Sequence, residues 1–177
     1  MVETVTSPIQ LFDERRIARR VRKIAGEIAG AVGREFTVVS LLKGSFVFVA
    51  DLVRALDRHG LTPRVEFMRL SSYGAAKKSS GEVRLIGAPP ADIAGRKVVV
   101  VDDIADTGRS LSFAAKLVAE QNAAQVWSCV LLDKPSRREV ACSPDFVGFT
   151  VDDLFVVGYG IDFDERFRHL PYIGYVE

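Results

Sequence analysis

The sequence predicts an α/β protein built on a doubly wound, mainly parallel sheet. Runs of apolar and β-branched residues alternate with stretches of helical apolar spacing, and short β runs follow near the C-terminus. Four consecutive valines at 98–101 have the pattern of a strand that is buried on both faces, as strands of parallel sheets are. Strand–helix alternation of this kind is typical of doubly wound folds.

Residues 13–31 have the pattern of an amphipathic helix with Asp13 as its N-cap. Ile17, Val21, Ile24 and Ile28 form one apolar stripe along it. The stripe is surrounded by basic residues, namely Arg15, Arg16, Arg19, Arg20, Arg22 and Lys23. We interpret this basic cluster as a solvated helix face, with a nucleic-acid patch as the alternative.

The remaining elements follow from the same periodicities. The predicted strands are 36–42, 65–70, 82–86, 98–101, 126–132, 145–151, 155–159 and 172–176. Helices are predicted at 46–58, closed by Gly60, and at 110–120. Residues 71–81 are rich in glycine and serine and lack periodicity, which predicts a mobile loop.

Length and composition favour one domain over residues 1–177. The formal net charge is +1, so no overall field attracts nucleic acid or an anionic membrane. The two cysteines form neither a disulfide framework nor a metal-ligand spacing, and no apolar run approaches the length of a membrane span. We therefore expect a cytoplasmic protein with no nucleic-acid and no membrane partner.

The stretch 98–110 carries the main functional signal. Asp102 and Asp103 come at the carboxyl end of a buried strand, where ligands bind in open α/β sheets. Thr107, Gly108 and Ser110 belong to a turn that opens a helix and suits a phosphate dianion. An ordinary capped helix would explain the glycine and the serine. It would not explain two adjacent carboxylates, which repel each other unless a cation or hydroxyl groups lie nearby.

Two further strand ends have polar, glycine-containing or basic turns. Gly44 follows the second predicted strand and would let backbone amides approach an anion. Lys134 follows the predicted strand 126–132 and could donate to a carbonyl group of a ring. Phe155 could stack on a flat base, and Asp162 offers oxygen ligands to a hard cation. Each of these residues also has an ordinary structural interpretation when it is taken alone.

Six blocks together give a specific resemblance. They are LLKGS at 41–45, RLSSY at 69–73, VVVVDDIADTGRS at 98–110, LLDKPSRR at 131–138, PDFVGF at 144–149 and FVVGYGIDFDERFRHLP at 155–171. With these blocks the chain resembles the hypoxanthine-guanine phosphoribosyltransferases over nearly its whole length. The resemblance implies a type I phosphoribosyltransferase fold with a small β-rich hood from about 1–12 and 145–177. It also implies transfer of a 5-phosphoribosyl group from phosphoribosyl diphosphate (PRPP) to N9 of hypoxanthine or guanine.

The resemblance implies a role for each matching position. Asp106 would act as general base or acid at the purine N7. Ribose and PRPP would be held by Asp102, Asp103, Asp106, Thr107, Gly108, Arg109 and Ser110. Diphosphate would be held by Leu42, Lys43, Gly44 and Arg168, with a cis peptide bond between the first two. The purine would be held by Lys134, Phe155 and Val156, while Ser72 and Tyr73 would lie on a loop that closes over the reaction. Magnesium (Mg²⁺) would be held by Asp162, Asp102 and Asp103.

Two positions depart from the pattern of the family. Arg109 stands where many relatives have lysine, and Gly160 where some have alanine. The family is usually dimeric or tetrameric, so a homodimer or a homotetramer is expected. The sequence does not rank hypoxanthine, guanine and xanthine. The alternatives from other classes are an RNA-binding regulator on the same fold and, with little weight, a phosphoacceptor receiver-like domain.

Overall fold

The computed structural model describes residues 7–72 and 82–177. It contains three α-helices, nine strands and a short 3₁₀ turn at Pro135–Arg137. The helices are α1 (Glu14–Val32), α2 (Phe46–Asp57) and α3 (Arg109–Glu120). The strands are β1 (Ile9–Phe12), β2 (Thr37–Leu42), β3 (Arg64–Ser72), β4 (Val83–Ile86), β5 (Lys97–Ala105), β6 (Gln125–Asp133), β7 (Phe146–Thr150), β8 (Phe155–Val157) and β9 (Ile173–Val176).

A six-stranded sheet forms the centre of the molecule, with the strand order β4-β3-β2-β5-β6-β7. The strands from β3 to β7 in this order pair in parallel, and β4 pairs antiparallel to β3. The predicted mainly parallel α/β fold is therefore confirmed. Because β5 lies between β2 and β6, its carboxyl end faces the ends of both neighbours.

A separate antiparallel sheet has the order β1-β9-β8 and joins the two ends of the chain. It corresponds to the small β-rich hood that the resemblance implied. The C-terminal part of this hood begins at β8 and not near residue 145. Phe146–Thr150 lies in the large sheet instead, because it pairs in parallel with β6.

The alternation of side chains along β5 shows the double winding directly. Val99 and Val101 pack into a core with α1 and α2, whereas Val98 and Val100 pack on the opposite face with α3. All four valines are fully buried. Burying a side chain of this size contributes about 1.5–3 kcal/mol, so the valine run both fixes the strand and holds its end in place.

The amphipathic helix α1 begins where the sequence predicts, because Asp13 Oδ1 accepts a 2.6 Å hydrogen bond from the Arg16 amide. The predicted stripe is buried. The basic face is only partly solvated, which corrects the prediction. Arg20 donates to the carbonyl oxygens of Val147 and Gly148 on β7, and Arg16 lies over the ring of Phe12 at 4.8 Å from its centroid. Within the described residues, no helix is long and apolar enough to cross a membrane.

Candidate active site

Three turns converge at the carboxyl edge of the large sheet. They follow β2, β5 and β6, which are adjacent strands. β5 is longer than predicted, since its pairing with β6 continues to Ala105 opposite Asp133. Asp102 and Asp103 therefore lie within the end of the strand, and the phosphate-type turn begins at Asp106. Lys134 is fixed at the same edge because its amide donates to the Ala105 carbonyl over 2.9 Å.

Glycine allows the turn after β2 to approach two other segments. A Cβ atom on Gly44 would overlap the Asp103 carboxylate, and a Cβ atom on Gly160 would overlap the Gly44 carbonyl oxygen. The backbone of the 158–162 turn therefore approaches that of the predicted diphosphate turn with no side chain between them, and the Asp103 carboxylate packs directly against Gly44. The peptide bond between Leu42 and Lys43 is cis, as the resemblance implied. Gly160 has a φ of +99°, a conformation that favours glycine.

The two members of the acidic pair differ in exposure, since Asp102 is buried and Asp103 is half-buried. Asp102 is 7% exposed, and its Oδ1 accepts a 2.9 Å hydrogen bond from the Asp103 amide. Burial, reinforced by the neighbouring carboxylate of Asp103, raises the pKa of Asp102 well above its ordinary value. Burial also raises the pKa of Asp103, although Arg168 acts in the opposite direction. The pair is therefore suited to hydroxyl groups or a cation, which would relieve its repulsion.

The turn that opens α3 is held from behind by residues 138–142. Gly108 has a φ of +84°, and a Cβ atom there would lie 2.8 Å from Cβ of Cys142 and 2.9 Å from Cδ of Arg138. The amides of Glu139 and Val140 both donate to the Thr107 carbonyl, over 3.0 and 3.3 Å. The 138–142 segment thus fixes the backbone of the predicted phosphate turn.

Arg138 connects this support to the sheet. Its guanidinium donates to the carbonyl oxygens of Ala105 and Asp106 over 2.8 and 2.7 Å and forms an ion pair with Asp133. Sequence reasoning missed this role. The signal available was a basic dipeptide, Arg137-Arg138, shortly after the predicted purine-binding lysine, but nothing local indicates contacts with residues about thirty positions earlier.

A cavity of about 400 Å³ adjoins the turn. Five of the sequence-predicted residues line it, namely Asp106, Lys134, Phe155, Val156 and Asp162. Its remaining walls are Ile104, Arg137, Asp153, Leu154 and Ile161. The cavity therefore combines apolar walls with three carboxylates, an ammonium group and a guanidinium group, and such a mixture suits a flat polar ring.

Lys134 and Phe155, which both line the cavity, differ in their exposure to solvent. Lys134 is 6% exposed, so its stem is held by the surrounding wall. Phe155 is 53% exposed and makes an edge-on contact with Phe163, with the ring centroids 5.0 Å apart. An exposed aromatic face beside a buried lysine can accept a stacked ring. Sequence reasoning also missed Arg137 and Asp153, which form ion pairs at this cavity.

The basic residues predicted to hold diphosphate form a second cluster. Arg168 pairs with Asp162, with Nη2 and Oδ1 2.8 Å apart, and donates to the Gly160 carbonyl over 2.9 Å. Lys43 pairs with Glu165, with Nζ and Oε1 2.9 Å apart. The Arg168 Nε is buried and has no hydrogen-bond partner among the described residues. This donor is one observation that fits an anion at the cluster.

The predicted metal ligands are carried by two separate segments. Within the described residues, no group of three or more acidic, histidine or cysteine side chains could hold a metal ion without other ligands. Asp162 already forms an ion pair with Arg168 and accepts a hydrogen bond from the Glu165 amide. Mg²⁺ commonly binds through one or two carboxylates together with water and substrate phosphates. The residues therefore fit a magnesium ion that arrives with a phosphate-bearing ligand.

Of the predicted closing loop, the structure describes only residues 71 and 72. Ser72 ends β3, and Tyr73 with the predicted closing loop through residue 81 lies outside the described residues. A larger cavity of about 740 Å³ lies between α1, α2 and residues 168–171. Of the predicted site residues it contains Arg168 alone.

Comparisons with known proteins identify the family of this chain. Residues 9–164 match the phosphoribosyl transferase domain family. The chain is 45% identical to the hypoxanthine-guanine phosphoribosyltransferase of Aquifex aeolicus, and the match covers 94% of this chain and 93% of the relative. It is 40% identical to the hypoxanthine phosphoribosyltransferase of Escherichia coli K12, with the same coverage. A solved structure of the Trypanosoma cruzi hypoxanthine phosphoribosyltransferase superimposes with a TM-score of 0.88 at 34% identity, covering 100% of this chain and 94% of that one.

The fold and these matches define a phosphoribosyltransferase of type I fold. At this level of identity over almost the whole length, the chain belongs to the hypoxanthine-guanine phosphoribosyltransferase family. It is therefore an enzyme, a transferase of purine salvage. The comparisons give no support to an RNA-binding regulator.

Proposed function

We propose that this enzyme transfers the 5-phosphoribosyl group of PRPP to N9 of hypoxanthine or guanine, giving IMP or GMP and diphosphate. The observation that carries the proposal is the 400 Å³ cavity, which brings Asp106, Lys134 and Phe155 together beside the phosphate-type turn. A ring and a 5′-phosphate can then be bound next to each other. The names of the relatives support the same pair of substrates.

Asp106 is proposed to handle the purine proton. It lines the cavity and stands at the start of the turn, so one side chain would face both a bound ring and a bound sugar phosphate. As the bond to N9 forms, its carboxylate would take the proton from N7. A positioned general base contributes about 10²–10⁴-fold to such a reaction.

Lys134 and Phe155 are proposed to select and hold the base. The ammonium group of Lys134 would donate to the 6-oxo oxygen, which hypoxanthine, guanine and xanthine share. Phe155 would stack on the ring, and Val156, which is 4% exposed, would meet the base edge through its backbone. This set distinguishes 6-oxopurines from adenine and does not rank the 6-oxopurines.

The opposite end of the site is proposed to bind PRPP. Residues 106–110 would hold the 5′-phosphate, with Thr107, Gly108, Arg109 and Ser110 in the turn and first turn of α3. Asp102 and Asp103 would accept hydrogen bonds from the ribose hydroxyls and favour the positive charge that develops at C1′.

The diphosphate leaving group would meet the backbone at Leu42, Lys43 and Gly44 and the guanidinium of Arg168. Mg²⁺ held by Asp162, with Asp102 and Asp103 near the ribose, would neutralise charge on the diphosphate. Gly44 has no side chain, so its backbone can lie against the Asp103 carboxylate. Water must be excluded here, because it competes with the purine for C1′.

We further propose that the enzyme works in the cytoplasm as a homodimer or homotetramer. Its cysteines, Cys129 and Cys142, are both free thiols, which suits a reducing compartment. The Trypanosoma cruzi structure comes from work on the role of the C-terminal region in that enzyme's oligomeric state and activity. Light scattering of the purified protein would determine the number of subunits.

The test is to incubate the purified protein with PRPP, Mg²⁺ and hypoxanthine, guanine or adenine in turn. Nucleotide and diphosphate should form in equal amounts with the two 6-oxopurines and not with adenine. The variant K116Q is a matched control, because Lys116 pairs with Glu120 on the exposed face of α3 and should leave activity unchanged. If neither IMP from hypoxanthine nor GMP from guanine forms, the proposal is refuted.

A further inference from the structure

Arg137 bridges two carboxylates at the mouth of the base-side cavity. Its Nε lies 3.1 Å from Oδ1 of Asp106, and its Nη1 lies 3.5 Å from Oδ2 of Asp153. All three side chains line the 400 Å³ cavity. The bridge therefore connects the turn after β5 with the loop that leads into β8.

Asp153 connects the bridge to the segment that carries Phe155. Asp153 stands two residues before Phe155, the aromatic residue that is proposed to stack on the base. The loop is also tied to the sheet by a 2.9 Å hydrogen bond from the Val151 amide to the Asp133 carbonyl. Arg137 adds a direct connection from this loop to Asp106, the residue that is proposed to carry the proton.

Arg137 also balances negative charge at the cavity. Three carboxylates, those of Asp106, Asp153 and Asp162, line the cavity with two cations, Lys134 and Arg137. Asp162 is already paired with Arg168, so without Arg137 the carboxylates of Asp106 and Asp153 would lose their guanidinium partner. Repulsion would then turn the Asp106 and Asp153 side chains away from each other.

The two neighbouring arginines have different tasks. Arg138 and its partner Asp133 are each 15% exposed, and Arg138 also donates to backbone carbonyls, so it is part of the packed support of the turn. Arg137 is 47% exposed and contacts side chains whose exposure is 39% and 57%. Ion pairs this exposed contribute little to folding stability. A variant of Arg137 should therefore fold, and its effect should be confined to the site.

We propose that Arg137 is a positioning residue that, through its bridge between Asp106 and Asp153, sets the placement of the proton-carrying carboxylate relative to the stacking aromatic ring. This inference rests on the proposed function, since it assigns Asp106 and Phe155 the roles given above. Arg137 itself does not act on the reacting atoms. It fixes a geometry on which proton transfer depends, and a displacement of about 1 Å can lower such a rate by about a hundredfold.

The test is a double-mutant cycle with R137Q, D153N and the combined variant, with hypoxanthine as the base. Each single variant should lower kcat by about ten- to a hundredfold, while KM for PRPP stays near the wild-type value. The PRPP side should be spared because Arg138, Glu139 and Val140 hold the phosphate turn independently. The combined variant should lose no more than the worse single variant, because both changes break the same bridge.

R137K and K116Q complete the design. R137K keeps one of the two ion pairs and should recover part of the kcat that R137Q loses. K116Q removes a remote exposed pair and should behave as wild type. Thermal unfolding of every variant shows whether a loss of kcat comes from a loss of folded protein. If R137Q does not fold, D153N and R137K test the positioning role of Arg137 in its place.

The results that would overturn the inference differ from those that refute the proposed function. If wild type forms no IMP, the proposed function fails. If wild type is active and R137Q keeps a near-normal kcat, Arg137 does not position Asp106. If D153N keeps a normal kcat, or if the two losses multiply in the combined variant, the bridge is not the cause. An R137K variant as slow as R137Q would also count against it.

Discussion

The substitution G108A tests whether residues 138–142 hold the phosphate-type turn. Two costs follow from the structure. The φ of +84° is a left-handed conformation, which costs an alanine about 1–2 kcal/mol. The new methyl group would also lie 2.8 Å from Cβ of Cys142, well inside the usual separation of about 3.5–4.0 Å.

The two costs can be separated with a matched variant. Gly95 has a φ of +70° but no neighbour within 4 Å of an added Cβ atom, so G95A meets only the backbone cost. Alanine also restricts the unfolded chain, which returns about 0.4–1 kcal/mol in both variants. We expect G95A to lose about 1 kcal/mol of unfolding free energy, from the left-handed backbone cost less this return. G108A should lose about 2–4 kcal/mol, because overpacking adds about 1–3 kcal/mol.

A substitution at a third glycine should change the free energy of unfolding in the opposite direction and serves as a control. Gly30 lies in α1 and has open space around an added Cβ atom, so G30A should stabilise the protein by about 0.5–1 kcal/mol. Urea unfolding measures all three changes. G108A should also raise KM for PRPP, since the 138–142 segment must shift and its hydrogen bonds to Thr107 must lengthen. If G108A matched G95A in both stability and KM, the packing of residues 138–142 against the turn would not fix its geometry.

Three further predictions concern single side chains of the site. D106N should lower kcat by about 10²–10⁴-fold with little change in PRPP binding, and a near-normal kcat in steady-state assays would exclude the proton role. K134Q should lower kcat/KM for hypoxanthine by about ten- to a hundredfold through loss of a charged hydrogen bond, and an unchanged preference for hypoxanthine over adenine would remove Lys134 from base recognition. D102N should be more stable than wild type at neutral pH. Burial raises the pKa of Asp102 in the folded protein, so the folded state keeps a proton that the unfolded chain releases above a pKa of 3.8. The contribution of Asp102 to the free energy of unfolding therefore falls as pH rises from about 4 through the raised folded-state pKa. An asparagine does not titrate, so D102N should not show this fall. Parallel pH slopes of wild type and D102N in urea unfolding without Mg²⁺ would contradict this.

The order of the elements could be predicted because each depends on local pattern. The valine run at 98–101, the stripe of α1 and the glycine turns are all visible within short windows of sequence. Their assembly at one edge then follows from the parallel sheet. This is why the predicted residues Asp106, Lys134 and Phe155 meet in one cavity although they are far apart in the chain.

Contacts between distant segments could not be predicted in the same way. β5 is longer than the valine run indicates because its register with β6, and not its own hydrophobicity, extends it to Ala105. Arg20 has the pattern of a solvated residue, yet it reaches carbonyl oxygens at the edge strand β7. The tasks of Arg137 and Arg138 likewise depend on partners about thirty residues away.

The strand order of the small sheet affects when its strands can pair during synthesis on the ribosome. Its middle strand, β9, is synthesised after all the other described strands, and β8, which carries Phe155 and Val156, pairs with no other strand of the described chain. Chains fold from the amino end as they emerge. The sheet edge with the phosphate-type turn can therefore form while β9 is still inside the exit tunnel. The segment that carries Phe155 and Val156 gains its strand partner only after β9 has emerged, so the turn at 106–110 can form before β8 is paired.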